Sequence, residues 1–304
     1  MNWTTERNKE LILENNKSFI FLFVKEMRPK QWSKNLLVFA ALIFSINDSN
    51  TDAFIFAALG FLCFCFISSC VYVINDYLDR EADRLHPIKK YRPIASGLLN
   101  PKLALLAGSI LFVGTCFLSF YINFIFGIIL LIYFFLNITY SMKLKHIVIL
   151  DVMTIALGFG LRAIGGAIII NVNLTPWFLI CTMLLALFLA VSKRRHELYL
   201  LNSDGGNHRK VLDKYSFQLI DQINTIAVTS TIVSYALFTF TSGHTIHLMW
   251  TLPFVIYGIF RYLYIIHIEK DGGAPDKILF EDRHLLITVI LYGLTVIAVL
   301  TLFE

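Results

Sequence analysis

The chain has 304 residues, 57% of them hydrophobic and only 15% charged. That balance excludes an ordinary soluble domain and fits a polytopic membrane protein. The net charge of +5 is sorted by position along the chain rather than gathered in one patch, so nucleic acid is not an expected partner.

Nine apolar runs predict an all-α bundle of nine transmembrane helices, at about 33–47, 53–75, 102–121, 123–141, 147–170, 176–192, 217–241, 247–268 and 284–303. Lysine and arginine sort to alternate connections. Seven precede or open the first run, six fall in 76–102, two in 142–146, six in 193–216 and four between Arg261 and Arg283. Arg162, inside the fifth run, is the remaining one, and the opposite connections carry none. The positive-inside rule then predicts a cytoplasmic N-terminus and an outside C-terminus.

Residues 1–30 mix charge with Leu11-Ile12-Leu13 and the run from Phe19 to Val24, and Pro29 closes the segment. This predicts an interfacial amphipathic segment on the cytoplasmic leaflet, ahead of a single membrane domain over 31–304. Residues 1–18 are polar and charged, without the pattern of a cleavable signal. Arg28-Pro29-Lys30-Gln31-Trp32-Ser33-Lys34-Asn35 opens the first run, where Trp and Lys suit headgroup level.

The second run delivers Asn75-Asp76-Tyr77-Leu78-Asp79-Arg80-Glu81-Ala82-Asp83. If the helix continues through it, Asp76, Asp79 and Asp83 fall at i, i+3 and i+7, with Asn75 four before Asp79, all on one face. Three carboxylates and an amide cannot neutralise one another. They can bind a hard divalent cation through oxygen, and Mg²⁺ bridges such groups to substrate phosphates. The bland alternative is a solvated acidic cap, but carboxylates at the end of a membrane helix are costly and ask for a reason. His86 to Gly97 then brings Lys89, Lys90 and Arg92 among prolines. A basic loop beside an acidic metal site suits a phosphorylated, metal-bound ligand. It is too rich in Pro and Gly for one helix and is expected to cover the cytoplasmic mouth.

The third and fourth runs carry few polar groups and read as scaffold. The fourth ends at Tyr140-Ser141-Met142-Lys143-Leu144-Lys145, whose lysines positive-inside anchoring explains adequately. It does not explain Asp151 at the start of the fifth run, although a helix N-terminus favours an acid. Arg162 lies eleven residues on, about 16 Å along the same face. An arginine inside a span must face protein, water or an anion, so it either partners a carboxylate or carbonyls or lines a polar cavity. Gly158, Gly160, Gly165 and Gly166 suggest close helix packing.

The sixth run ends in Ser192-Lys193-Arg194-Arg195-His196-Glu197-Leu198, which alone reads as a basic loop for lipid headgroups. A turn at Asp204-Gly205-Gly206-Asn207 and the pairs Lys214-Tyr215 and Arg261-Tyr262 follow on the same side. Asp271-Gly272-Gly273-Ala274-Pro275 and Glu281-Asp282-Arg283 lead into the ninth run. His244 and His247 fall on the other side. Cys63, Cys65, Cys70, Cys116 and Cys181 lie in apolar runs without zinc spacing and read as packing residues.

NDxxDxxxD followed by HPxKxxRPIASG resembles the UbiA superfamily of intramembrane prenyltransferases. With YSxxLKxxxxxD and SKRRHEL, the chain more narrowly resembles the decaprenyl-phosphate phosphoribosyltransferase branch, from about Met27 to about Leu285. RPKQWSKN resembles the superfamily's opening motif, in which the Lys-Asn pair (here Lys34 and Asn35) faces the site. The departure from most of the superfamily is at 193–198: a second aspartate-rich motif is usual there, and this chain is basic, with Glu197 the only nearby carboxylate.

The resemblance implies a UbiA-type bundle in the cell (inner) membrane, with its site facing the cytoplasm. It implies transfer of 5-phosphoribosyl from phosphoribosyl diphosphate to a polyprenyl phosphate, with Mg²⁺ as cofactor. Asp76, Asp79, Asp83 and Asp151 are the implied catalytic residues, with Asn75 joining the first three at the metal. Lys34, Asn35, Lys89, Arg92, Tyr140, Lys145, Arg162, Lys193, Arg194 and Glu197 are the implied substrate contacts. Membrane lipids are partners, and a homo-oligomer stays open. The runner-up is prenyl transfer from a polyprenyl diphosphate to an aromatic acceptor, against which the missing second motif counts. A transporter using the carboxylates and Arg162 as a relay is a third reading. It lacks paired broken helices.

Overall fold

The computed structural model describes residues 18–45, 51–86, 88–204, 211–270, 272–273 and 275–303, all helix, turn or loop with no strand among them. The first part of the expected amphipathic segment lies outside the described residues. So do most of the 204–207 turn, part of the connection before Thr51, and Asp271 and Ala274. Eight helices among the described residues are long and apolar enough to cross a membrane, at Thr51–Leu78, Pro101–Ile122, Phe124–Met142, Leu150–Ile169, Pro176–Leu201, Phe217–Thr241, Ile246–Glu269 and Arg283–Phe303. They match the second to ninth expected runs. The first run differs. Pro29–Phe39 is a 3₁₀ helix, followed by a short α-helix over Ala40–Phe44. Pro29 and the polar residues up to Asn35 leave too little apolar sequence for a regular α-helical span.

The chain forms two compact units, Met1–Leu36 with Leu59–Ile138, and Leu37–Ala58 with Thr139–Glu304. The first unit holds α1 (Phe19–Glu26), most of α3 (Thr51–Leu78, after α2 at Ala40–Phe44), α4 (Arg80–Leu85), α5 (Pro101–Ile122) and most of α6 (Phe124–Met142). Ser18 caps α1 by accepting from Phe21 N, and Asn100 with Pro101 opens α5. Asn123 closes α5 through its N–H and caps α6 through its side chain, so the two helices join in one residue.

In lipid, helices gain little from the hydrophobic effect and hold together by packing and polar contacts. Phe64 stacks edge-on against Phe126 and Tyr133, joining α3 to α6. Gly108 lets α5 approach Val73 of α3 closely. Leu106, Ile110, Val113, Phe117 and Tyr121 form an exposed stripe on α5, as a lipid-facing side would. Leu22 of α1, Val73 of α3, Ile94 and Leu99 of the loop and Ala104 of α5 make one buried cluster. That cluster seats α1 and the loop against the end of α3.

The second unit holds α2, α7 (Leu150–Ile169), α8 (Pro176–Asp204), α9 (Phe217–Thr241), α10 (Leu252–Tyr264), α11 (Pro275–Glu281) and α12 (Arg283–Phe303). The helix from Pro176 runs well past the expected limit of 192. Val191 and Leu198 are buried on one side of it, while Arg194 pairs with Glu197 within a turn.

Gly166 of α7 meets the backbone of Val38, where an added Cβ would lie 2.2 Å from the carbonyl oxygen. Gly166→Ala should therefore lower the thermal midpoint in detergent, the clash of about 1–3 kcal/mol or more outweighing a helix-propensity gain of about 1 kcal/mol. Gly114→Ala, with nothing within 4 Å of the new methyl, should leave the midpoint level or raise it. Equal midpoints for the two variants would contradict the close approach.

Candidate active site

In the first unit α3 ends at Leu78 and α4 starts at Arg80, with Asp79 between them at φ −88° and ψ 2°. Backbone bonds from Asp79 N to Asn75 O and from Asp83 N to Asp79 O, both 2.8 Å, carry the helical register across the break. Asp76 and Asp83, seven residues apart, are both buried, at 2% and 3% exposure. Asp79, between them, is exposed. Asn75 is half-buried.

Arg92 joins the two buried acids. Its Nη1 donates to Asp76 Oδ1 at 2.9 Å and to Asp83 Oδ2 at 2.5 Å. Arg28 donates to both oxygens of Asp76, at 2.6 and 2.5 Å, and its guanidinium lies 4.8 Å from the centre of the Tyr72 ring. Lys89 Nζ stands 3.9 Å from Asp83 Oδ1. Arg28 has φ 55°, a left-handed backbone that costs a non-glycine residue energy, and its Nη2 alone makes both bonds to Asp76. The nearby His86 Nδ1 accepts from the backbone N–H of Ile88 and Lys89 at 3.1 and 3.3 Å. Its pKa is lowered by burial and by Lys89, which keeps that nitrogen an acceptor.

Glu26, the last residue of α1, is 1% exposed, and neither carboxylate oxygen has a hydrogen-bond partner. Burial, then Asp76, push its pKa up to about 9, against the pull of Arg28 and Arg92. Three buried acids, Glu26 with its pKa raised, thus stand against Arg28, Arg92 and Lys89. Carboxylate oxygens are hard donors of the kind a divalent cation takes. No three acidic side chains among the described residues converge on one point, because Arg92 sits between Asp76 and Asp83. A cation would take over oxygens that the arginines now hold.

The other first-unit candidates behave differently. Lys34 donates to Gln31 Oε1. Asn35 is 1% exposed and its amide donates to Cys65 Sγ and Ser68 Oγ of α3, which makes it a packing contact.

In the second unit Asp151 is fully buried at the start of α7. Its Oδ1 accepts from the Tyr215 hydroxyl at 2.7 Å, and that hydroxyl accepts from the backbone N–H of Ile149 at 2.8 Å. Ile149 has φ 71°, a strained value for a β-branched residue, so the Tyr215 bond holds a costly turn in place. Burial and the bond to Asp151 push the Tyr215 hydroxyl pKa upward. Arg194 Nε lies 3.6 Å from Asp151 Oδ2, and its Nη1 donates to Glu197. Arg194 thus links Asp151, by a 3.6 Å ion pair, to Glu197, and its side chain is only 4% exposed. Arg162 is 7% exposed, donates to Gly158 O of its own helix at 3.0 Å and lies over Phe159. Tyr140, Lys145 and Lys193 are half-buried.

Sequence reasoning missed Glu26, Arg28 and Tyr215. Glu26 carried a signal: it sits four residues after Leu22, on the face of α1 that is buried. Arg28 and Tyr215 reach partners 48 and 64 residues away, which no local pattern shows.

The model of the UbiA prenyltransferase family matches residues 36–287. A decaprenyl-phosphate phosphoribosyltransferase of Mycolicibacterium smegmatis is 32% identical over 286 residues, 88% of each chain. One of Corynebacterium glutamicum is 35% identical over 274 residues, 86% of this chain and 81% of its own. Among solved structures, a UbiA homologue from Archaeoglobus fulgidus bound to GPP and Mg²⁺ superposes with a TM-score of 0.67. It is 22% identical, over 91% of this chain and all of its own, a likeness of fold. The helical fold and a match over most of the sequence agree, and the chain belongs to the UbiA prenyltransferase family.

Proposed function

We propose that this integral membrane enzyme transfers 5-phosphoribosyl from phosphoribosyl diphosphate to a decaprenyl-like polyprenyl phosphate, releasing diphosphate. The observation that carries the reading is likeness over most of both chains to enzymes named for decaprenyl phosphate and phosphoribosyl transfer. The acid–base cluster at the end of α3 supplies matching chemistry.

Asp76 and Asp83, with Asn75 and Asp79 beside them, would hold Mg²⁺. Bound there, it would neutralise charge building on the departing diphosphate. Arg92, Arg28 and Lys89 are cations already concentrated at those acids, and they would turn to the donor phosphates. Lys145, Lys193 and Arg162 are proposed for the remaining anionic groups. Asp151, Tyr215, Arg194 and Glu197 position their own segments. An oxygen of the lipid phosphate attacks C1 of the ribose. The bond from C1 to the diphosphate oxygen breaks, and its electron pair leaves with diphosphate. A phosphate monoester is mostly doubly ionised near neutral pH, so no strong base is required. Catalysis is then positioning plus stabilisation of an oxocarbenium-like carbon and of the leaving charge.

The same reading places nine spans in the inner membrane, with the N-terminus and the site on the cytoplasmic side. The first span is the run expected over 33–47, which opens within the 3₁₀ helix Pro29–Phe39 and continues in Ala40–Phe44.

Purified protein in detergent should convert labelled phosphoribosyl diphosphate and polyprenyl phosphate into a labelled lipid. The product should vanish with EDTA and fall at least about tenfold in Asp79→Ala. Folded protein that forms no lipid product with Mg²⁺ would sink the phosphoribosyl reading. Polyprenyl diphosphate with aromatic acceptors would then be tried.

A further inference from the structure

Ser69, Tyr72 and Asp76 fall at i, i+3 and i+7 on α3 and so share one face of it. All three meet the chain that leads out of α1. The Ser69 hydroxyl donates to Met27 O at 3.0 Å, sharing its hydrogen with Cys65 O of its own helix at 2.7 Å. It accepts from the Trp32 indole N–H at 3.1 Å. The Arg28 guanidinium lies 4.8 Å from the centre of the Tyr72 ring and donates to both oxygens of Asp76. Ser69 and Met27 are both buried.

Met27 O belongs to the peptide that joins Met27 to Arg28. The other end of that peptide, the Arg28 N–H, donates to Lys25 O at 3.2 Å. Beyond the turn, Arg28 O accepts from Gln31 N at 2.8 Å. The peptide planes on both sides of Arg28 are therefore tied, and between them φ is held at 55°. That value is costly for a residue with a Cβ, while Pro29 disfavours the ordinary helical alternative for the residue before it. Two of the three ties are local. The Ser69 bond is the one of the three that anchors the turn to another helix. It sets the level on α3 from which the Arg28 side chain starts, about 10 Å along the axis from Asp76.

We propose that Ser69 is a positioning residue for the transfer reaction. By fixing the Met27–Arg28 peptide it aims the Arg28 guanidinium along α3 at the acid cluster. The assignment rests on the proposed function, in which Arg28 turns from Asp76 to the donor phosphates. A side chain that exchanges partners in this way needs a backbone that stays in place, and the seat on Ser69 supplies it.

The test is a double-variant cycle on lipid product formation by whole protein in detergent, with phosphoribosyl diphosphate varied at saturating polyprenyl phosphate. Arg28→Gln should lower kcat/KM for the donor at least about tenfold. Ser69→Ala should lower it severalfold, mainly through a higher donor KM, and leave the KM for the lipid phosphate unchanged. In the Arg28→Gln background, Ser69→Ala should cost less than about twofold more, because the group it aims is gone. A packing role alone costs the same factor in both backgrounds, so additive losses overturn the assignment. Wild-type kcat/KM in folded Ser69→Ala or Arg28→Gln overturns it too. If Ser69→Ala does not fold, Ser69→Cys, whose thiol is a weaker donor of similar size, is read in the same way. A wild-type protein that makes no lipid product overturns the transfer reading and the positioning role with it, a result distinct from additive losses in an active enzyme.

Discussion

Asp76→Asn is expected to lower phosphoribosyl transfer by about a thousandfold or more, measured as labelled lipid product with both substrates saturating. Asp76 is the acid on which Arg28 and Arg92 both converge. An amide in its place keeps the shape but loses the charge that holds both guanidinium groups. One of its two polar ends would also turn an N–H toward an arginine. The cation site loses a carboxylate at the same time, so positioning and charge neutralisation fail together. A fold control belongs beside the assay, because Arg28 and Arg92 remain partly exposed at 28% and 26% and can rehydrate. The thermal midpoint should therefore fall far less than the activity does. Activity within about tenfold of wild type would show that the cluster serves structure and that the donor binds elsewhere.

Asp151→Ala should produce the opposite pattern, a large loss of stability. Its carboxylate is fully buried, with Arg194 on one oxygen and Tyr215 on the other. Removing it leaves a guanidinium that is 4% exposed facing Glu197 alone, and breaking such a buried pair costs about 3–5 kcal/mol. The thermal midpoint in detergent should drop on the order of 10 °C. Tyr215→Phe, which removes only the hydroxyl linking Asp151 to Ile149 N, should cost about 1–3 kcal/mol. The double variant should cost less than the sum, since both changes break one network. An Asp151→Ala protein that melts like the wild type but makes no lipid product would return Asp151 to the direct catalytic role that the family resemblance implies.

The spanning helices were legible because lipid demands long apolar runs and apolar runs are local. The runs expected at 217–241 and 284–303 appear as helices at Phe217–Thr241 and Arg283–Phe303. The 3₁₀ path at the start of the first run was not legible, because hydropathy does not distinguish a 3₁₀ path from an α path. At the end of α3, the shared burial of Asp76 and Asp83 followed from helical spacing, whereas the exposure of Asp79 did not. It depends on a helix break that the sequence does not announce with Gly or Pro. Arg92 was legible as a cation beside the acids, but not as the bridge between two of them. Arg194 and Glu197 are substrate contacts implied by the resemblance, and their pairings within the fold could not be read from the charged stretch itself. In the fold Arg194 lies beside Asp151 and pairs with Glu197. Such pairings are tertiary, and a single sequence records only that the charges exist.

The cysteines carry a practical consequence. Cys63, Cys65 and Cys70 are buried, and Cys116 and Cys181 are half-buried within spanning helices, all as free thiols. Water-soluble maleimides attack thiolates in the aqueous phase and find little to modify at such positions. The natural chain is thus already close to a silent background for sulfhydryl mapping. Single reporter cysteines placed in the lysine- and arginine-bearing connections, or in those without them, can be tagged from one side of sealed vesicles at a time. Sidedness can then be read on an otherwise unaltered protein.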